Sequence, residues 1–93
     1  MLTNRNLSPG SPDPVSVALQ ALAWVLADER RARRFLDLTG LTPKELRAGI
    51  GSAEMQGSVL DFLAAHEPDL VAAAEALGLS PDAIGAANRA LAR

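Results

Sequence analysis

The stretch Gly40-Leu41-Thr42-Pro43 recurs thirty-eight positions later as Gly78-Leu79-Ser80-Pro81, and these two stretches decide the fold. Each is typical of one helix ending and the next beginning. The glycine can adopt the left-handed conformation that closes a helix, and the Thr or Ser hydroxyl can accept hydrogen bonds from the free amides of the next helix. Proline then opens that helix with its φ angle already set. Glu45 completes a capping box with Thr42, whereas Ala83 cannot do so in the second stretch.

Residues on either side of these stretches recur at the same offset. The matched pairs are Leu22 with Leu60, Trp24 with Phe62, Ala27 with Ala65, Glu29 with Glu67, and Leu46 with Ile84. Chance is a competing explanation, because leucine, alanine and capping residues are abundant in helical proteins. Two copies are also fewer than the roughly three that a solenoid needs. We therefore predict an all-α fold, a compact bundle of five or six short helices, arranged as two three-helix units about an approximate two-fold axis.

Apolar periodicity and capping residues place the helices along the chain. The predicted segments are Pro14 to about Ala27, Arg30 to Leu38, Pro43 to Gly49, a fourth helix capped by Ser52, Pro68 to Gly78, and a last helix from Pro81. The first is apolar on nearly every face, which predicts a central helix or one partly covered by a partner. The second should turn Ala32, Phe35, Leu36 and Leu38 inward. The three aromatic residues Trp24, Phe35 and Phe62 should be mostly buried in or near one cluster.

Composition divides the chain into an arm and one domain. Residues 1–12 are rich in Ser, Asn, Pro and Gly and predict a flexible arm, while 13–93 predict a single helical domain. The chain has no cysteine, which excludes disulfides and agrees with a reducing compartment. No secretory signal is recognised, and the longest apolar run, Val15 to Ala27, is shorter than the ~20 residues of a membrane span. We expect a cytoplasmic protein with no membrane partner.

The sequence offers no constellation of catalytic or cofactor-binding residues. His66 is the only histidine and stands at a helix junction, so a structural or exposed role is expected for it. The serines serve as caps or lie in helices without a histidine in register, so no acyl-transfer triad is visible. Asp61 should lie at the edge of an apolar stripe or pair with an arginine of the second helix. We predict no catalytic residue, no metal, no cofactor and no small-molecule site, and an enzyme ranks third among the functions considered.

Four arginines give the second helix a strongly basic outer face. Arg30, Arg31, Arg33 and Arg34 are expected to lie exposed there. A solvated surface is the simpler interpretation, whereas the functional one is a patch that binds an acidic partner. The sequence therefore favours a protein-interaction or adaptor module, which binds a protein partner or itself through this face or through surplus apolar surface.

A DNA-binding regulator is the alternative. Ala74, Gly78, Leu79, Ser80 and Ile84 have the spacing of helix-turn-helix proteins, and Asn88, Arg89 and Arg93 would then face the DNA. The chain is acidic overall, with net charge −2, and Glu75 and Asp82 flank the corner, whereas binding to phosphates demands clustered Lys and Arg. Nucleic acid is therefore not expected as a partner.

Three segments resemble a small bacterial helical family known only as a domain of unknown function. They are Ala23-Trp24-Val25-Leu26-Ala27-Asp28, Arg34-Phe35-Leu36-Asp37-Leu38-Thr39-Gly40-Leu41 and Val59-Leu60-Asp61-Phe62-Leu63. The resemblance covers roughly Val15 to Leu91. It implies an all-helical bacterial cytoplasmic protein, and no activity, cofactor or catalytic residue comes with it.

Overall fold

Six α-helices joined by short turns form the computed structural model, which describes residues 13–92. In chain order they are α1 (Pro14–Leu26), α2 (Glu29–Thr39), α3 (Pro43–Gly49), α4 (Ala53–Ala64), α5 (Glu67–Leu77) and α6 (Pro81–Leu91). The prediction of an all-α bundle is confirmed, and the predicted helix bounds agree with these to within one or two residues. The predicted flexible arm, residues 1–12, lies outside the described residues.

Both glycine corners form as their sequence predicts. Gly40 and Gly78 have φ angles of 76° and 71°, in the left-handed region that a side chain disfavours. After the first corner, Thr42 and Glu45 form the complete capping box, with hydrogen bonds of 2.9 and 3.1 Å. After the second, the Ser80 hydroxyl accepts one hydrogen bond of 3.1 Å from a backbone amide. The turns are therefore specified locally, before any tertiary packing.

α1 and α4 form the centre of the bundle. They pack against each other, and each also packs against α2, α5 and α6. Every buried position of α1 has a buried counterpart in α4 thirty-eight residues later. These pairs are Val17 with Met55, Ala18 with Gln56, Ala21 with Val59, Leu22 with Leu60, and Val25 with Leu63. The two helices thus meet through equivalent faces.

Two of the three aromatic residues, Phe35 and Phe62, are in contact beside this central pair. Phe35 of α2 is completely buried, and its ring meets that of Phe62 on α4 edge to face, with centroids 5.3 Å apart and an interplanar angle of 82°. That geometry suits the quadrupoles of both rings. Trp24 is half-buried and packs against the edge of the core. The predicted aromatic cluster is confirmed, with Trp24 at its margin.

Leu38 corrects the predicted orientation of α2. It was expected to face inward, but it is 71% exposed, the highest value among the exposed large apolar side chains of residues 13–92. The inward arc of α2 runs from Phe35 through Thr39 to Leu36, and at ~100° per residue Leu38 falls outside that arc.

The third helices of the two predicted units also differ. α6 packs against both α1 and α4, whereas α3 makes no comparable contact with any helix of residues 13–92. The sequences of the two helices differ at the positions that matter. Thirty-eight residues before Ala87 and Leu91 of α6 stand Gly49 and Ala53. α3 therefore ends after a single core anchor, Leu46. The expectation of two matching three-helix units is wrong at the third helix.

Replacement of Phe35 by alanine tests the aromatic core. We expect the free energy of unfolding to fall by ~3–5 kcal/mol, because the substitution leaves a cavity in a close-packed interior. That loss is a large part of the ~5–15 kcal/mol typical of a whole domain. Urea unfolding followed by circular dichroism measures it. Leu38→Ala is the matched control and should leave stability near that of the wild type, while equal midpoints for the two variants would contradict the assigned core.

Candidate interaction surfaces

The outer face of α1 is uncharged and mostly apolar, with Ser16 and Gln20 as its polar residues. Among the six helices of residues 13–92, α1 is the only one whose sequence contains no Asp, Glu, Lys or Arg. Val15, Leu19 and Leu26 are exposed there by 39%, 39% and 42%, and we call these three residues the α1 stripe. Burial of apolar area is favourable in water. A partner that covers this surface therefore lowers the free energy of the system.

The α1 stripe follows one line along the helix. With the buried Leu22, its members are spaced four, three and four residues apart, which confines all four side chains to an arc of roughly 60°. This spacing is that of the contact positions in paired helices. The exposed neighbours along the line, Ser16 and Ala23, are small, so another helix can approach closely.

The corresponding face of α4 lies beside α6. A shallow groove between these helices is lined by Ala53, Glu54, Gly57, Ser58 and Asp61 of α4 and by Asn88, Arg89, Leu91 and Ala92 at the end of the chain. The Asn88 side chain donates a hydrogen bond of 2.9 Å to the Asp61 carboxylate across it. Thirty-eight residues before Ala53 and Gly57 stand Val15 and Leu19. At these equivalent positions α4 has α6 beside it. α3 ends before it could lie beside α1 in the same way, so the α1 stripe stays exposed.

Arg31 is not the exposed residue that the sequence predicts. Its guanidinium lies 3.6 Å from the centroid of the Trp24 ring, donates a 2.6 Å hydrogen bond to the Trp24 carbonyl, and lies 3.7 Å from the Asp28 carboxylate. Its side chain is 22% exposed. Arg31 therefore fastens the start of α2 to the end of α1 by a cation–π contact and hydrogen bonding.

Arg34 also has a partner within the chain. Its guanidinium pairs with the Asp69 carboxylate on α5 and lies 5.2 Å from the centroid of the Phe62 ring on α4. The side chain remains 42% exposed. This arginine connects α2 to α5, so two of the four predicted partner-binding arginines, Arg31 and Arg34, already have partners within the chain.

Arg30 and Arg33 remain as the free part of the arginine face. Both are exposed, and neither forms an ion pair with a carboxylate of residues 13–92. Together with Arg34 they line a shallow groove that also contains Glu29 and Asp37. The carboxylates offset much of the positive charge, so the groove is less basic than the sequence of α2 suggests.

The corner between α5 and α6 has helix-turn-helix geometry without the chemistry of a DNA reader. The two helices meet at 100°, within the range of such motifs. Ile84 and Ala87 of α6 are buried, which leaves Asp82 and Arg89 as the charged residues of its exposed face. Of the other predicted DNA contacts, Asn88 is engaged with Asp61, and Arg93 lies outside the described residues.

The remaining polar residues of interest lie where the sequence places them. His66 is exposed at the start of α5 and its side chain caps no amide. Asp61 is exposed at the edge of the α4 apolar stripe, as expected. The arginine of α2 that finds a carboxylate, Arg34, pairs with Asp69 and not with Asp61. Within residues 13–92, no three histidine or carboxylate side chains gather in one place.

No single helix of the described chain has the length and apolar character needed to cross a membrane. Taken together, α5 and α6 have the length and composition of a membrane span, but the pair is bent by 100° at the Gly78 corner.

Comparison with known proteins gives one family. The model of the family described as Protein of unknown function (DUF3572) matches residues 12–93, nearly the whole chain. Neither the curated proteins nor the solved structures contain a significant match. The resemblance found in the three sequence segments is confirmed by this match.

Asp28 offers a test of the junction between α1 and α2. Its carboxylate accepts hydrogen bonds from the amides of Arg31 and Arg30, and these bonds, with the charges of both arginines, hold its pKa below the ordinary value. A lowered pKa stabilises the fold when the group is ionised, above the unfolded pKa of about 3.9, and this contribution is lost as pH falls through the lower folded pKa.

We therefore expect Asp28→Asn to flatten the acid limb of the stability curve. Asparagine caps helices about as well as aspartate, so the variant should differ from the wild type mainly in charge. The free energy of unfolding, measured by urea titration between about pH 5 and pH 2, should decline less steeply for the variant. Parallel curves for the two proteins over that range would contradict a role for the ionised carboxylate.

Proposed function

The chain belongs to the DUF3572 family of proteins of unknown function, and we propose that it is a small protein-interaction module whose binding surface is the α1 stripe. The observation that supports this most is the uncharged line of Val15, Leu19 and Leu26 on a helix that is otherwise the centre of the core. Large apolar side chains aligned at the spacing of paired helices favour a helical partner.

The arginine face is a second and smaller surface in this proposal. Arg30 and Arg33 are free for an acidic partner, whereas Arg31 and Arg34 are engaged within the bundle. Substitution of the latter pair would disturb the packing of α2 as well as any binding. We therefore assign the primary contact to α1 and a supporting electrostatic role to Arg30 and Arg33.

We further propose that the module is non-catalytic and works in the cytoplasm of a bacterium. The absence of cysteine from the whole chain supports a reducing compartment. In the polar groove between α4 and α6, the Asp61 carboxylate accepts a hydrogen bond from Asn88. No nucleophile and base lie paired there, as covalent catalysis would require.

The 100° corner supports a second candidate, a DNA-binding regulator, and gives a direct prediction. We expect no binding of random duplex DNA at ~10⁻⁴–10⁻⁶ M protein, the range of ordinary non-specific binders. The outer face of α6 carries one acidic residue, Asp82, and one basic residue, Arg89. These two charges cancel and give no basic surface for phosphates. Fluorescence anisotropy with a labelled duplex measures this, and saturation that weakens steeply with added salt would replace our proposal by the DNA-binding one.

Photo-crosslinking in the native host tests the proposed surface. A benzophenone amino acid at position 19 should give discrete cross-linked products, because Leu19 lies in the middle of the α1 stripe. The same probe at Val71, which is 48% exposed on α5, is the matched control and should give few. A second change, Leu26→Glu, should reduce the yield from position 19 at least tenfold, because a charge would be buried in an apolar contact.

Equal yields from positions 19 and 71, or a yield from position 19 that survives Leu26→Glu, would contradict the assignment. All three changes, at positions 19, 71 and 26, replace exposed residues, so circular dichroism should show folded protein in each case.

A further inference from the structure

We infer that α3 and the residues around it, 41–50, form a lid over Met55 that opens while the rest of the bundle stays folded, and that oxidation of Met55 to the sulfoxide holds this lid open. We call the segment the α3 lid. The inference goes beyond the proposed function and does not depend on the α1 stripe. Three features support it: the weak attachment of α3, the glycines at its ends, and the position of Met55.

Few side chains attach the α3 lid to the core. Leu46 is buried and Leu41 is half-buried at the margin of the core, whereas the rest of the segment is exposed apart from the partly covered Gly49. No side chain of α3 forms an ion pair or a hydrogen bond with another helix of residues 13–92, and its capping box is local to its own first turn. Segments with few buried apolar contacts open locally, at a lower free energy than the core. α3 can therefore open without loss of the packing among the other five helices.

A glycine lies at each end of the α3 lid. Gly40 has a φ angle of 76°. Gly51 stands in the turn between α3 and α4, with no atom within 4 Å of the place that a Cβ would take. Backbone rotation at glycine meets less steric hindrance than at other residues. Changes of the backbone angles at these two positions would move the lid as one piece and leave α2 and α4 in place.

Met55 lies in the first turn of α4, next to the end of α3. A Cβ at position 49 would come within 3.1 Å of the Met55 methyl carbon Cε, so this methyl group fills the space beside Gly49. Met55 is 8% exposed. The side chain of its neighbour, the buried Gln56, donates a hydrogen bond of 3.2 Å to the Ile50 carbonyl at the end of the lid. Opening of the lid breaks this bond and gives water and solutes access to Met55.

Met55 is the sulfur atom that the fold covers in this way. The chain has no cysteine, and its two methionines are Met1 and Met55. Hydrogen peroxide oxidises a thioether by transfer of one oxygen: a sulfur lone pair attacks that oxygen, the O–O bond breaks, and the proton of the attacked oxygen passes to the departing hydroxide. Sulfur loses two electrons and the peroxide is reduced to water. Methionine sulfoxide reductases reverse the change.

The sulfoxide is a poor fit beneath the closed lid. The methyl group bonded to the oxidised sulfur already fills the space beside Gly49. The new oxygen is a strong hydrogen-bond acceptor, and its burial without a donor is unfavourable. The amide group of Gln56 is engaged with Ile50 in the closed state. Water satisfies the oxygen when the lid is open, so oxidation shifts the equilibrium toward the open state.

Hydrogen exchange of the full-length protein, resolved by mass spectrometry, tests the opening. The amides of residues 46–50 should be protected about tenfold less, or weaker still, than those of the buried turns of α1 and α4. Their protection should also change little in dilute urea, because local opening exposes little surface.

Peroxide treatment of the same protein tests the effect of oxidation. Conversion of Met55 to the sulfoxide should lower the protection of residues 46–50 by a further factor of about ten and leave that of α1 and α6 unchanged. Met55→Leu is the matched control, because leucine is close to methionine in volume and takes up no oxygen. Its lid should keep its protection after the same treatment, although Met1 is still oxidised.

Gly51→Ala tests the pivot. The φ angle of Gly51 is not positive and the space around it is open, so alanine fits the closed state and restricts the open one. The rate of Met55 oxidation by peroxide should fall about two- to fivefold. Met1 in the same chain is the internal reference and should be oxidised at the wild-type rate.

Four results would each overturn the inference. Equal protection and equal urea dependence of α3 and α1 would mean that α3 opens only when the whole bundle unfolds. Formation of the Met55 sulfoxide with no change in the exchange of α3 would mean that the sulfoxide fits beneath the closed lid. Loss of the helical circular dichroism signal on oxidation would place Met55 in the cooperative core. An equal response of Met55→Leu to peroxide would assign the effect to another residue. None of these results bears on the photo-crosslinks from position 19, so the proposed function is tested separately.

Discussion

The contact between α1 and α4 is the constraint on which the rest of the structure depends. Every buried side chain of α1 has its buried counterpart on α4, and α2, α5 and α6 all pack onto this central pair. Its central residues are aliphatic, among them Leu22, Val59 and Leu60, with exposed fractions of at most 3%. Burial of such side chains contributes ~1.5–3 kcal/mol each, so the outer helices owe their positions to a surface that α1 and α4 supply jointly.

α3 and α6 differ in length, and the surfaces beside them differ with it. α3 ends at Gly49 after seven residues, whereas α6 has Ala87 at the equivalent position and continues to Leu91. The longer helix lies along α4, and its last turn borders the groove that includes Gly57 and Asp61. Among residues 13–92 no helix takes the equivalent place beside α1, and Val15 and Leu19 are exposed. Exposure at α1 thus accompanies the early end of α3, a different helix.

Much of this fold follows from local sequence. The residues Gly40, Thr42, Gly78 and Ser80 specify their turns through backbone conformation and capping, which depend on near neighbours only. The six helices could be predicted for that reason. The aromatic cluster could be predicted because the chain has only three aromatic residues and all of them fall on apolar helical faces.

The parts that could not be predicted depend on distant contacts. The sequence predicts an exposed Arg31, because its neighbours in sequence give no reason to bury it. The structure shows that the Trp24 ring covers its guanidinium. The sequence predicts that Leu38 faces inward because it is apolar. In the structure it lies outside the arc of α2 that contains Phe35 and Thr39, and it is exposed. The α1 stripe had a visible signal, the spacing of four, three and four residues. That signal became specific once the structure showed which face of α1 the bundle covers.

The contact between Arg31 and Trp24 has an optical consequence. Trp24 is the only tryptophan and the chain has no tyrosine, so its indole dominates the near-ultraviolet absorption and emission of the protein. The ring is half-buried beneath a guanidinium at the end of α1, and its excited state therefore senses both solvent access and a fixed positive charge. A single chromophore in that position reports on the junction of α1 and α2 without any label. Its emission distinguishes loosening of this junction from global unfolding, which circular dichroism of the six helices records.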